Sequence, residues 1–192
     1  MKSHALHKKE TAELGFWLYL MTDIMLFGGL FATFMVLRHN TNGGVDGHEL
    51  FDTKYALIET FVLLGSSLMC GLALLSAKYK KPKEAKIYLG ITLVLGAAFL
   101  AMELYEFWSF VQEGHSWQAS AFLSAFFTLV GTHGLHITIG LIWGIVLLYT
   151  IFKRGFTENL MRKLGLFTVF WHFLELVWIF IFTVVYLIGG TL

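Results

Sequence analysis

The sequence predicts an all-α polytopic membrane protein, a bundle of five transmembrane helices, and three observations carry that expectation. Hydrophobic residues make up 57% of the 192 and charged residues only 14%, with a mean hydropathy of +0.69, outside the range of ordinary soluble domains. Five stretches, about 14–37, 55–77, 87–108, 121–152 and 164–188, are nearly uncharged. Each is about as long as the roughly 20 helical residues that cross a hydrocarbon core about 30 Å thick. Lysine and arginine divide unevenly between the connections: three precede the first stretch, five lie in Lys78–Lys86 and four in Lys153–Lys163, against Arg38 and Lys54 on the other side. By the positive-inside rule the N-terminus is cytoplasmic and the C-terminus outside. The expected organisation is a single membrane domain over 1–192, with 1–13 as a cytoplasmic arm.

That arm, Met1 to Glu13, is polar and is expected to be partly ordered. The first helix, Leu14 to Leu37, follows lysines as a signal peptide does, but its apolar run is long and has no small-residue cleavage site, so it is expected to remain. Its acid is Asp23, about nine residues in and so near mid-membrane at 1.5 Å per residue. A carboxyl group there must be protonated, hydrogen-bonded to another helix or facing an internal cavity, which leaves structural and functional readings both open.

A polar connection leads to the second helix, Tyr55 to Ala77. Glu59 lies one turn in, where the expected reading is a solvated or helix-capping acid. Gly65, Ser66, Ser67 and Gly71 are small residues at near-helical spacing and predict close approach by another helix. Cys70 is the lone cysteine, which excludes an internal disulfide and a thiolate cluster.

Pro82, in the lysine-rich connection, suits a helix start. The third helix, Ile87 to Trp108, ends with Glu103 and Glu106 on one face. Such a pair can bind a cation, share a proton or mark the helix end; Glu106 is expected at the interface and Glu103 in an interhelical hydrogen bond. The fourth helix, Ala121 to Phe152, contains His133 and His136, three residues apart on one face, within a run carrying no Asp, Glu, Lys or Arg. Gly140 and Gly144 form a G-x-x-x-G, a close-packing signal. The fifth helix, Leu164 to Ile188, places His172 and Glu175 on a shared face.

Together Glu103, Glu106, His133, His136, His172 and Glu175 resemble the ligand inventory of a di-metal carboxylate bundle. The order of the His and Glu motif is reversed and occurs once, and the estimated depths of Glu103 and Glu175 differ, so metal ligation is disfavoured. Two histidines on one helix are poorly placed to sandwich a haem, and five helices show no repeat of the kind found in transporters. The preferred reading is a polar network in which the histidines pair with Glu103, Glu175 or backbone carbonyls and set helix rotation. A net charge of +1, with basic residues scattered among short loops, speaks against nucleic acid as a partner.

The segments LGFWLYLMTDIMLFGGLFATF, ETFVLLGSS, MELYEF, SAFFTLVGTHGLHITIG and FWHFLELVWIFIFTVVYLIGG reach every helix. They resemble subunit III of the haem-copper terminal oxidases, most specifically through G-T-H-G-L-H followed by W-H-F-x-[DE]-x-V-W. The five-helix length is similar to bacterial forms that lack the first two helices of longer members. The resemblance implies an accessory subunit with no catalytic, cofactor or metal site of its own, haem and copper residing in subunit I. It implies packing against subunit I, with subunits II and IV in the same complex, phospholipid held in a cleft between helix groups, and support of proton uptake. It further implies a multi-pass location in the bacterial cytoplasmic membrane. Asp23 stands where many members have glutamate, and Glu175 where aspartate is more frequent. The run YLMTDIMLFGGLFATF looks most like bo-type ubiquinol oxidases, which implies quinol as the electron donor of the complex, with cytochrome c as the alternative.

Overall fold

The computed structural model describes residues 2–41, 53–114 and 117–188. Among the described residues there are five long helices: α1 (Lys2–Leu37), α2 (Thr53–Lys78), α3 (Pro82–Gln112), α4 (Ala121–Arg154) and α5 (Glu158–Ile181). A π-helical segment, Phe182–Ile188, continues α5. Each has the length and apolarity needed to cross a membrane, so the five expected spans are present.

The helices outrun their apolar stretches. The polar N-terminal residues, expected as an arm, continue α1 as helix back to Lys2, although the apolar span begins only at Glu13. Likewise α3 begins at Pro82 and runs past Trp108 to Gln112, and α5 begins at Glu158. Hydropathy marks only the part of a helix that sits in hydrocarbon. Once a helix is nucleated, each further residue adds a hydrogen bond at little cost, so it continues into the wet flanks until a cap or a turn stops it. The stops are local. Ser120 and Thr157 cap α4 and α5 by accepting from the amides of Leu123 at 3.1 Å and Leu160 at 3.4 Å. Pro82 opens α3 in its first turn, and Gly155, at φ 69°, ends α4 in a backbone region that favours glycine.

α2 and α3 form the most extensive helix pair, α4 packs on α3 and α5, and α5 also packs on α2. α1 lies chiefly along α4, with a lesser contact to α5. Small residues make this packing possible: Gly140 and Gly144, singled out in the sequence, and Gly96, which was not. A Cβ at Gly96 would stand 2.6 Å from the Trp171 ring, one at Gly140 2.9 Å from the same ring, and one at Gly144 2.5 Å from Leu93. The Trp171 indole therefore sits in a slot between α3 and α4 that glycine alone leaves open. Its Nε1 donates to Ser66 Oγ at 3.0 Å, and Ser66 Oγ donates to the Thr92 carbonyl at 2.9 Å, so one side chain ties four helices. The G-x-x-x-G of α4 thus receives bulky side chains of α5 and α3.

The outward faces are apolar. Met25 and Val36 of α1 are 76% and 75% exposed, and Phe61, Val94, Ile142 and Phe180 face out from the other helices. Such a surface suits lipid or neighbouring protein, not water.

Candidate functional site: an intramembrane polar network

The titratable residues inside the spans fall into three groups. The first joins α2, α3 and the π segment. Glu59 and Glu103 are 0% and 1% exposed, and Glu106 is buried with them. The three carboxyl groups are close enough to interact electrostatically. Tyr186 donates to Glu106 Oε2 at 2.7 Å, while neither carboxylate oxygen of Glu59 nor Oε2 of Glu103 has a hydrogen-bond partner among the described residues. Glu103 lies against α4 where Gly134 leaves room, since a Cβ there would be 2.6 Å from its Oε1.

Two expectations are corrected here. Glu59 is not a solvated or capping acid, and Glu106 does not mark a solvated helix end. Glu59 shares a helical face with Ala56, Leu63, Ser66 and Cys70, all buried, so rotation about α2 turns it inward whatever its depth. α3 runs on past Glu106 to Gln112, so Glu106 does not mark the helix end, and it is buried where Tyr186 donates to it. For Glu103 the expected interhelical hydrogen bond is absent at Oε2.

The second group joins α1 to α4. Asp23 and His136 are 7% and 9% exposed, and His136 Nε2 lies 3.6 Å from Asp23 Oδ2. His136 Nδ1 is 2.8 Å from the Thr132 carbonyl, which can only accept, so Nδ1 carries the hydrogen. Nε2 faces Asp23 at a distance longer than a hydrogen bond, and Asp23 Oδ2 is buried without a hydrogen-bond partner among the described residues. Phe27 covers the pair, its ring 5.3 Å from that of His136.

The third group joins α2 to α5. Ser67 donates to Glu175 Oε2 in a short hydrogen bond. Cys70 Sγ donates to Thr168 Oγ1 at 3.7 Å, and His172 Nδ1 donates to the Thr168 carbonyl at 2.7 Å. His172 itself is on the outer surface of the described chain, with Gly71 beside its ring.

His133 belongs to none of these, which corrects the network expected from sequence. It is fully buried and neither ring nitrogen has a hydrogen-bond partner among the described residues. Aromatic rings surround it: Trp178 at 5.4 Å, Phe99 edge-on at 5.9 Å and Phe27 at 6.4 Å. Of the carboxyl partners anticipated for the histidines, Glu175 is taken by Ser67, while His136 and His172 meet the backbone carbonyls that the same reading allowed. Three participants went unread in the sequence. Trp171 and Trp178 stand two turns apart on one face of α5, a signal that helical spacing offers; Trp178 Nε1 donates to Thr60 Oγ1 at 3.0 Å. Tyr186 had no such signal, because the π turns shift it off the α-helical register.

Among the described residues no group of three or more His, Cys, Asp or Glu is arranged to hold a metal ion. What the arrangement can do is hold or pass protons and fix the rotation of each helix against its neighbours.

Residues 1–190 match the family model described as cytochrome c oxidase subunit III. The chain is 50% identical over 187 residues, 97% of its length and 90% of the relative's, to cytochrome bo(3) ubiquinol oxidase subunit 3 of Pseudomonas aeruginosa PAO1. It is 49% identical over 176 residues, 92% of its length and 86% of the relative's, to quinol oxidase subunit 3 of Bacillus spizizenii. Cytochrome c oxidase subunit 3 of Bacillus sp. PS3 is 46% identical over 176 residues, 92% of this chain and 85% of the relative. With the match spanning every helix, including Asp23, the Gly134 gap and the Trp171 slot, this chain belongs to the cytochrome c oxidase subunit III family.

Proposed function

We propose that the chain is the non-catalytic subunit III of a quinol-oxidising, proton-pumping terminal oxidase of aerobic respiration, acting as one membrane domain in the bacterial cytoplasmic membrane. The observation that carries this is the near-complete match to relatives named as subunit 3 of quinol oxidases, in Pseudomonas and Bacillus alike. In this reading haem and copper reside in subunit I, the main contact, with subunits II and IV completing the complex and phospholipid filling a cleft between helix groups. The N-terminus faces the cytoplasm. The exposed apolar faces of α1 and α4 support a partner or lipid on that side of the bundle. Asp23, Glu59, Glu103, Glu106, His133, His136, His172 and Glu175 set the geometry of the bundle.

The test is purification of a tagged chain under gentle extraction. The expected result is co-purification with haem-bearing partners and oxygen consumption on ubiquinol. Oxygen consumption on reduced cytochrome c but not on quinol would assign the donor of the Bacillus sp. PS3 relative's name instead. Stoichiometric metal in the stripped single chain would overturn the accessory role.

A further inference from the structure

Of the three histidines inside the spans, His133 and His136 turn into the bundle, whereas His172 of α5 turns out of it. It stands about eight residues beyond Leu164, where the apolar stretch begins, so at 1.5 Å per residue it lies about 12 Å into a hydrocarbon core about 30 Å thick. The ring is fixed there. Its Nδ1 donates to the Thr168 carbonyl at 2.7 Å, so Nδ1 carries the hydrogen and Nε2 presents a lone pair. Nε2 has no hydrogen-bond partner among the described residues, and so short a side chain does not reach the aqueous boundary from that depth.

Exposed hydroxyls on the spans are satisfied by their own helix. Thr33, Thr128 and Thr183 donate to the carbonyls of Gly29, Ser124 and Ile179 at 2.9, 2.7 and 2.8 Å, so each can face hydrocarbon with its hydrogen already placed. His172 differs, because its open nitrogen needs a donor and acyl chains have none. An acceptor left bare at that depth costs free energy comparable to a lost hydrogen bond. The surface around it has the shape of a helix seat. Val169, His172, Leu176 and Ile179 recur at helical spacing and form one outward row along α5, and Leu64, Leu68 and Leu75 form the outward row of α2 beside it. Between the rows lies Gly71, where a Cβ would stand 3.8 Å from the Nε2 of His172. The missing side chain leaves that nitrogen open to a closely approaching helix.

We infer that the outward face of α2 and α5 seats a transmembrane helix of a neighbouring subunit, and that this helix carries a hydrogen-bond donor, a hydroxyl, amide or indole N–H, at the depth of His172. The inference rests on the reading of the chain as one subunit of a membrane complex, and adds to it the face that is covered and the chemistry that recognises it. An acyl chain fills the same groove and leaves Nε2 bare. A second copy related by a two-fold axis through this face sets one Nε2 lone pair against the other.

The test uses the whole complex. Benzoylphenylalanine, a photoreactive residue, replaces Leu176 in one form and Leu68 in another; native membranes are irradiated and the adducts identified by mass spectrometry. Both probes are expected to cross-link to a different subunit of the complex. Adducts to lipid alone, or to a second copy of this chain, would overturn the assignment of the face. The polar contact is read separately, as the amount of this chain retained per haem after a fixed detergent challenge of the purified complex. His172→Leu should lower the ratio of bound to released chain about 3- to 20-fold, the range for one interhelical hydrogen bond. His172→Gln, whose amide oxygen accepts near the place of Nε2, should restore most of it. Gly71→Leu keeps the histidine and obstructs the approach; a Cβ there makes only an ordinary contact, so the fold accepts it, and retention should fall as well. Unchanged retention in H172L, or an equal loss in H172L and H172Q, would overturn the hydrogen bond. Haem separates the two readings: a chain that never co-purifies with haem counts against the subunit assignment, whereas a haem-bearing complex whose Leu176 probe meets only lipid counts against this face alone.

Discussion

At the scale of single residues, the tightest constraint is the Trp171 slot. The Cβ of Gly96→Ala would come within 2.6 Å of a ring whose Nε1, next along the same edge, is held by Ser66 and whose opposite edge is packed against Gly140. The ring cannot retreat without losing that bond, so the substitution should destabilise the bundle by about 1–3 kcal/mol, the usual cost of overpacking a tight core. Trp171→Phe loses the bond but shortens the ring, and the pair G96A/W171F should cost less than the sum of the two single changes. Thermal scans of the four forms in detergent measure that coupling. Equal additivity would show that the slot is not the contact that matters. The contrast with Gly65 is instructive: its nearest neighbour is Leu95 at 3.7 Å, an ordinary contact, so glycine count in a sequence does not say which glycine is a slot.

At the scale of elements, α1 is the loosest helix. It is joined to the rest chiefly through α4, and the polar link in the membrane is Asp23 with His136. At one end of the helix Arg162 of α5, half-buried, lies 3.7 Å from the exposed Glu13, a loose pair of small worth. Asp23→Leu should therefore loosen α1 selectively, raising its hydrogen exchange and lowering a cysteine cross-link between α1 and α4, while α2 and α3 keep their protection. A uniform rise over all helices would instead mean that the Asp23 couple supports the whole bundle. The shift from α- to π-helix at Phe182 belongs to this scale too. It re-aims Tyr186 at Glu106, and no periodicity in the residues announces it.

At the scale of the whole molecule, the unequal distribution of lysine and arginine makes orientation a measurable consequence. Lys80 lies in the α2–α3 turn and Glu113 just past α3, at opposite ends of that helix. Cys70 is buried and contributes little background. A membrane-impermeant thiol reagent applied to intact spheroplasts should label Glu113→Cys, and Lys80→Cys only after permeabilisation. The reverse pattern would invert the topology.

Much of this protein was legible before any coordinates, because hydrocarbon imposes few solutions on a chain. Apolar runs of the right length must be helices, and their number follows from the sequence directly. The motif around His133 and His136 and the one around His172 and Glu175 also pointed to the family now shown for this chain. What the sequence could not decide is which polar groups meet. Glu59 read as an interfacial acid from its depth, yet its rotation about α2 buries it completely. His133 and His136 share a face, yet one lies among aromatic rings and the other beside Asp23. Depth and spacing are properties of one helix, whereas partnership depends on the rotation and approach of two. Those are set by side-chain packing such as the Trp171 slot, which only the tertiary structure contains.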